Sequence, residues 1–214
     1  MKKAIVIGGT GMVGSQLIKL LIEDKSYSEI ISLVRQSSGV THPKLTEVII
    51  NFDQPETWKN QIKGDVLFST LGTTIAKAKT KENQFKVDFT YQFSVAQIAA
   101  ENGVGNYVLV SAAGANSNSK VFYMNMKGKL EDAVQKLPFQ VISIIRPGQL
   151  AGNRLENRAT EKIGLSAMYF LNKLGLFMRY KPIQAHQVAQ AMINSAVKKD
   201  SLSYNLDEVF KLAQ

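Results

Sequence analysis

The sequence contains no cysteine, which excludes disulfides, zinc–thiolate sites and cysteine nucleophiles. Its two histidines are too few for a histidine-rich metal site, so we expect no metal. It has no run of about 18 apolar residues, the length that a membrane helix needs. The first apolar run, Ala4–Ile7, is too short for a secretory signal. These absences favour a cytoplasmic protein without a membrane segment.

Acidic residues are outnumbered, with 17 Asp and Glu against 26 Lys and Arg, which gives a formal net charge of +9. Such an excess attracts nucleic acid, anionic lipid or an anionic ligand. The only dense cluster is "AKAKTKEN" (Lys77, Lys79, Lys81), and no nucleic-acid recognition motif accompanies it. We therefore expect a solvated lysine-rich surface, with part of the charge serving a cofactor phosphate or an anionic substrate, and no nucleic-acid partner.

Short apolar runs rich in β-branched residues alternate with helical patterns along the 214 residues, which suit one domain. Continuous apolarity is typical of strands buried on both faces of a parallel sheet. The predicted strands are Lys3–Ile7, Ile30–Val34, Glu47–Asn51, Val66–Ser69, Tyr107–Ser111 and Gln140–Ile145, and the main predicted helices are Met12–Glu23, Lys81–Asn102 and Phe122–Lys136. The pattern predicts an α/β fold, a Rossmann-like doubly wound parallel sheet with helices on both faces.

A glycine loop, "GGTGMVGSQL", follows the first predicted strand and opens the first predicted helix. Gly8, Gly11 and Gly14 permit a tight turn, close approach of backbone amides to a pyrophosphate, and close packing of helix on strand. A plain strand-to-helix turn would use the same residues. The strand–loop–helix context favours a dinucleotide site, with Thr10, Met12 and Val13 also lining it, and hence an NAD(P)-binding domain over residues 1–214.

The second predicted strand ends in "ISLVRQSS", without the acid that binds the ribose hydroxyls of NAD. Arg35 stands there instead, and a guanidinium binds a 2′-phosphate through two hydrogen bonds. NADP(H) is therefore favoured over NAD(H), unless Arg35 is a surface charge that points elsewhere.

Two further segments follow strands at the same predicted edge. Asp53 is positioned either to bind the adenine amino group or to cap a helix near Pro55–Trp58. The segment "STLGTT" is either a plain loop or one whose backbone lines the adenosine ribose and pyrophosphate. The second reading makes Leu71, Gly72 and Thr73 cofactor contacts.

The fifth predicted strand ends in Ser111, and "VFYMNMKGK" follows with Tyr123 and Lys127 four residues apart, on one face of a helix. This spacing is common by chance. A free phenol titrates near pH 10, and a nearby ammonium favours the phenolate, so the pair suits proton transfer. Ser111 would either hold a substrate oxygen or bond the loop backbone.

Taken together, the motifs resemble the short-chain dehydrogenase/reductase superfamily over nearly the whole chain. "GxxGxxG", "LGTT", "KVD" (Lys86–Asp88), "YxxxK" and "RPGxL" followed by "NRxENR" are similar to the atypical members related to the Tat-interactive protein. Those are single-domain NADP(H)-binding proteins, grouped with NAD-dependent epimerase/dehydratase-like proteins. The resemblance implies catalysis by Ser111, Tyr123 and Lys127, with Lys127 also on the nicotinamide ribose.

The resemblance also implies that Pro147 passes the nicotinamide. We expect Arg146 to be structural and to pair with a buried carboxylate such as Asp88. Residues 150–185, rich in methionine and aromatics, form either a helix packed on the core or a lid over the substrate. Arg154, Arg158 and Arg179 would then meet an anionic substrate.

Two functions agree with these features. The first is an NADP(H)-dependent oxidoreductase acting on a small carbonyl or alcohol, as a monomer or homodimer. The second is a non-catalytic NADP(H)-binding redox sensor acting through a protein partner. The Tyr123 and Lys127 pair favours the first, since a sensor needs no proton relay.

Overall fold

Seven parallel strands lie in one sheet in the order β3-β2-β1-β4-β5-β6-β9, within the residues that the computed structural model describes, 1–151 and 181–214. The strands are β1 (Lys2–Ile7), β2 (Tyr27–Val34), β3 (Leu45–Ile49), β4 (Val66–Ser69), β5 (Asn106–Val110), β6 (Val141–Arg146), β7 (Leu150–Ala151), β8 (Ile183–Gln184) and β9 (Leu202–Asn205). The short β7 and β8 pair with each other, also in parallel.

The helices are α1 (Met12–Glu23), α2 (Ile75–Ala78), α3 (Lys81–Phe85), α4 (Gln92–Glu101), α5 (Phe122–Val134), α6 (Ala185–Ser195) and α7 (Asp207–Leu212). Residues Lys86–Tyr91 form a π-helical turn that joins α3 to α4. Two 3₁₀ turns, Pro55–Thr57 and Lys59–Gln61, connect β3 to β4. The predicted Rossmann-like α/β fold is thus confirmed, including each predicted strand to within three residues at either end.

Two apolar cores cover the two faces of the sheet. Alternate side chains of a strand point to opposite faces, so Ala4 and Val6 pack with α1 and α6, whereas Ile5 and Ile7 pack with α4 and α5. The order of the strands reverses between β1 and β4, and ligands bind at the carboxyl ends of the strands beside such a reversal. The fold therefore brings the loops after β1, β2 and β4 to one edge.

The predicted helix Lys81–Asn102 is the main departure from expectation. The chain is helical throughout, but the π-helical turn divides it into α3 and α4. A π turn adds a residue to the helical repeat, and an apolar periodicity averaged over twenty-odd residues does not resolve it. The predicted segment 150–185 lies mostly outside the described residues. In the described ranges, no helix has the length and apolarity to cross a bilayer.

Truncating Leu17 is expected to destabilise the fold. The side chain is fully buried on α1 in the core shared with α6, so Leu17→Ala leaves a cavity and should lower the free energy of unfolding by about 2–5 kcal/mol. Urea denaturation measures the loss. Leu20→Ala on the same helix is the matched control, because that side chain is only partly buried. Equal losses for the two variants would contradict this packing.

Candidate nucleotide-binding and proton-transfer site

The glycine loop packs against the end of β4 so closely that side chains are excluded. Gly8 has a φ of +80°, and a Cβ there would lie 2.5 Å from the amide nitrogen of Leu71. A Cβ on Gly14 would overlap the carbonyl oxygen of Gly8 and lie 2.6 Å from Oγ1 of Thr70. The loop therefore offers bare backbone to a ligand, as a pyrophosphate cradle requires.

Helix α1 begins directly at this loop. Gly11 is its N-cap, without a side chain to bond the first-turn amides, and no acidic residue lies in that turn. These amides are left for an anion, which the helix dipole also favours. Thr10 and Gly11 are exposed at the tip, Met12 is partly buried, and Val13 is buried in the core, so Val13 offers the ligand only its backbone.

The loop after β4 is fixed to β1 on one side. The amide and the hydroxyl of Thr70 both donate to the carbonyl oxygen of Ile7, at 3.0 and 2.8 Å. Leu71 and Thr73 are partly buried, and Gly72 is exposed. The predicted loop thus lies beside the glycine loop, at the reversal of strand order.

Three cations gather where β2 ends. Arg35, Lys77 and Lys86 line one cavity of about 330 Å³, together with Thr73 and Tyr91 among others. Asp53 also reaches this group, and its carboxylate oxygens lie 2.8 and 2.9 Å from Nζ of Lys86. The cavity is therefore lined by cationic side chains, and Lys86 among them is paired with Asp53.

One alternative predicted that Asp53 caps a helix, and the structure shows that it does not. The turn Pro55–Thr57 has Gln54 at its N-cap and no side-chain cap bond. Asp53 is instead hydrogen-bonded to Lys86, and this bond lowers the pKa of the Asp53 carboxyl. Asp53 is thus a counter-ion at the rim of the cationic cavity, and its contact with an adenine stays a prediction.

The loops after β5 and β6 are bonded to each other. The amide of Ser111 donates to Ile145, and the amide of Ala113 donates to the carbonyl oxygen of Pro147, at 2.8 and 3.0 Å. The Ser111 side chain is 5% exposed, and its Oγ has no hydrogen-bond partner among the described residues. A buried hydroxyl without a partner is costly, so this oxygen is suited to a ligand at the edge.

Helix α5 presents a polar stripe at intervals of four residues, Tyr123, Lys127 and Glu131. Tyr123 is 36% exposed, whereas Lys127 and Glu131 are 4% and 2% exposed. Positions four apart share one face of a helix. The face predicted to hold Tyr123 and Lys127 therefore extends one turn further, to a buried carboxylate.

Each buried charge of this stripe has a partner on another element. Nζ of Lys127 lies 3.7 Å from Oδ1 of Asp88, which sits in the π-helical turn. Glu131 accepts hydrogen bonds from Nε of Arg146, at 3.0 and 3.1 Å to its two carboxylate oxygens, and a further one from Nη2 of Arg146. These bonds raise the pKa of Arg146. The expected pairing of Arg146 with Asp88 is therefore wrong, because β6 ends beside α5.

Asp88, which was expected to be a buried carboxylate, belongs to a second polar stripe whose two glutamines were not predicted. Gln84, Asp88 and Gln92 are buried at intervals of four residues along α3, the π turn and α4. Asp88 accepts a bond from the amide of Thr73 at 2.8 Å, and Gln92 accepts one from the hydroxyl of Ser69 at 2.7 Å. Polar residues on the apolar face of a predicted helix are the signal that would have found them.

Helix α5 and the loop before it are in very close contact. A Cβ on Gly128 would overlap the backbone of Asn116 and Ser117. Asn116 donates its amide to Met124 at 3.0 Å, and Asn125 donates to the carbonyl oxygen of Ser117. The glycine beside Lys127 therefore sets how near the Ser111 loop lies to the helix.

A family model described as NAD(P)H-binding matches residues 8–199 of the sequence. The match begins at the first glycine of the loop and spans most of the chain. The chain belongs to this NAD(P)H-binding family. Membership of this family agrees with the glycine cradle, whose bare backbone suits a pyrophosphate.

Fungal FMP52 proteins are relatives within reach of direct alignment. "Protein FMP52, mitochondrial" of Eremothecium gossypii is 34% identical over 212 residues, covering 96% of this chain and 93% of the relative. The protein of the same name from Candida albicans is 34% identical over 221 residues, covering 97% and 96%. These mitochondrial names contradict the cytoplasmic prediction, which is wrong. A chain without cysteine forms no disulfide in any compartment, so cysteine usage could not discriminate.

Two solved enzyme structures with little sequence identity to this chain share the fold. WbmH of Bordetella bronchiseptica, in complex with NAD⁺, superposes with a TM-score of 0.70 at 17% identity, over 96% of this chain and 75% of that one. UDP-glucose 4-epimerase of Thermotoga maritima gives 0.68 at 15% identity, over 99% and 81%. At such identities the likeness shows the fold alone. In the described part of this chain, no three His, Asp or Glu side chains gather as a metal site.

Adding one methyl group at Gly128 is expected to destabilise the protein. In an open helix Ala is preferred to Gly by about 1 kcal/mol, but here the methyl group meets backbone that cannot rotate away. Gly128→Ala should therefore cost about 1–3 kcal/mol of unfolding free energy, measured by urea denaturation. Lys129→Ala, exposed on the same helix, is the control. A stabilised Gly128→Ala protein would show that the loop is not packed this way.

Proposed function

We propose that the protein is an NADP(H)-dependent oxidoreductase that acts on a small carbonyl or alcohol. One observation carries the proposal, the buried Lys127 ammonium on the same helix face as Tyr123, at the strand edge where the glycine loop opens. A lysine is almost never this buried unless it is paired, and the partner of Lys127 is the equally buried Asp88. The protein would be located in mitochondria, as the names of its FMP52 relatives state for them.

The cofactor would lie along the carboxyl edge of the sheet. The glycine loop and the first turn of α1 would bind its pyrophosphate, and the backbone of Leu71, Gly72 and Thr73 would follow its adenosine ribose. Pro147 would face the nicotinamide. The bare backbone at Gly8 and Gly14 supports this placement, since a Cβ at either position would fill the cradle.

The charges at the end of β2 support NADP(H) over NAD(H). Arg35 is exposed there, at the rim of the cavity. A 2′-phosphate is a dianion, and an arginine guanidinium binds it through two hydrogen bonds. Asp53 would hold Lys86 at the rim of this cavity. Part of the excess positive charge of the chain would then have a ligand.

The polar side chains divide the work of proton transfer. When bound, the cofactor would supply or accept a hydride at the substrate carbon. Tyr123 donates its phenolic proton to the carbonyl oxygen during reduction, and takes it back during oxidation. The unpartnered hydroxyl of Ser111 donates a hydrogen bond to the same oxygen. Lys127 would hold the ribose hydroxyls of the nicotinamide half.

The cofactor preference is tested by titration with NADPH and NADH, followed by nicotinamide fluorescence. Arg35→Ala should weaken NADPH binding about tenfold to hundredfold, the value of a hydrogen bond to a charged group, and change NADH binding by less than about twofold. Lys25→Ala removes an exposed charge before β2, at the opposite edge, and is the control. Equal weakening of both nucleotides would contradict a 2′-phosphate site.

The chemical role is tested on a panel of small carbonyl compounds, with NADPH oxidation followed by the loss of its nicotinamide absorbance. Tyr123→Phe should lower kcat about 10²–10⁴-fold, the usual contribution of a general acid, while NADPH still binds. Tyr91→Phe is the control, because Tyr91 lines the cationic cavity and has no proposed role in proton transfer. A redox sensor would bind NADPH and turn over no member of the panel.

A further inference from the structure

Asp88 and Lys127 form a buried ion pair that is expected to add little to the stability of the fold. Asp88 is 2% exposed and Lys127 is 4% exposed. Burial raises the pKa of the Asp88 carboxyl, although the Lys127 ammonium and the Thr73 amide act in the opposite direction. A raised pKa means that the carboxyl contributes stability at low pH that is lost as the pH rises through its folded-state value. A buried ion pair of this kind is therefore a weak source of stability.

The two oxygens of Asp88 serve different elements. Oδ1 faces the Lys127 ammonium at 3.7 Å, which is an ion pair rather than a short hydrogen bond. Oδ2 accepts the amide of Thr73 at 2.8 Å. One carboxylate thus links a lysine on α5 to the loop after β4. The two elements lie on either side of the edge that would hold the cofactor.

The helix that carries Asp88 is itself held to that loop. Gln84 donates to the carbonyl oxygen of Thr73 at 3.5 Å, a long bond. Gln92 accepts from Ser69 and donates to the backbone oxygen of Asp88 at 2.8 Å. Asp88 lies within the π-helical turn, a distortion that recurs at functional sites. The carboxylate is therefore positioned from both ends and has little freedom to follow Lys127.

We propose that Asp88 is a positioning residue that holds the Lys127 ammonium toward the nicotinamide half of the dinucleotide. The inference rests on the proposed function, because it assigns Lys127 to the nicotinamide ribose. The negative charge of Asp88 acts on Lys127, and Oδ2 of Asp88 accepts the hydrogen bond from the Thr73 loop. These two effects are separable by substitution. Asparagine keeps an acceptor for Thr73 but loses the charge, whereas alanine loses both.

The test compares two ligands that differ in the nicotinamide half. NADPH carries both halves, whereas adenosine 2′,5′-bisphosphate carries only the adenosine half and its phosphates. Asp88→Asn should weaken NADPH binding about tenfold, equivalent to one charge-assisted contact, and leave the bisphosphate within about twofold. Asp88→Ala should weaken both ligands, because the Thr73 amide also loses its acceptor. Asp132→Asn, exposed on α5, is the matched control for the loss of a carboxylate.

A double-mutant cycle checks that Asp88 acts through Lys127. In a Lys127→Met background, Asp88→Asn should cause no further loss of NADPH affinity. This comparison also serves if Asp88→Asn alone fails to fold, since the double variant leaves no unpaired buried charge. A further loss of NADPH affinity in the Lys127→Met background would overturn the inference.

The remaining outcomes separate the inference from the function beneath it. Unchanged NADPH affinity in Asp88→Asn, or equal losses for NADPH and the bisphosphate, overturns the positioning role while the wild type still binds NADPH. A wild-type protein that binds neither ligand overturns the proposed function and the inference with it. Wild-type binding is measured first, so the two failures are told apart.

Discussion

Contact between the backbone of Gly8 and the end of β4 is the constraint on which the rest of the carboxyl edge depends. Two bonds from Thr70 to Ile7 align β4 with β1 at this point. Gly14 brings α1 against the same atoms, where any side chain would intervene. Because strand order reverses here, the contact also fixes the crevice between the two halves of the sheet. A cradle of bare amides follows from packing alone, before any ligand is considered.

Beyond that contact, two buried carboxylates organise the charges at the edge. Asp88 faces Lys127, and Glu131 binds Arg146, so two positions four residues apart on α5 are tied to different neighbours. Each buried charge would be costly alone, and each pairing holds one end of the α5 stripe. The helix is thereby fixed between the π turn on one side and β6 on the other. Tyr123, one turn before Lys127, is the exposed end of this stripe.

The sequence was sufficient for the parts that depend on local pattern. Continuous apolar runs predicted the strands, and α1 was predicted to the residue, because burial on both faces leaves a periodic record. The pairing of charges left no such record. Arg146 was expected to pair with a buried carboxylate such as Asp88, and only the placement of α5 against β6 shows that its partner is Glu131. The pairing of Lys127 with Asp88 likewise depends on where α5 meets the π turn. Asp53 is a similar case, since its partner Lys86 lies 33 residues away.

The likeness to WbmH and to the Thermotoga epimerase supports the fold and not a substrate. This chain is covered almost entirely, whereas only 75–81% of WbmH and the Thermotoga epimerase is covered. The shared part includes the parallel sheet, and ligands bind at the carboxyl edge of such sheets irrespective of substrate. A sugar nucleotide substrate therefore does not transfer with the fold, whereas the roles proposed for Ser111, Tyr123 and Lys127 would require only a carbonyl oxygen on the substrate.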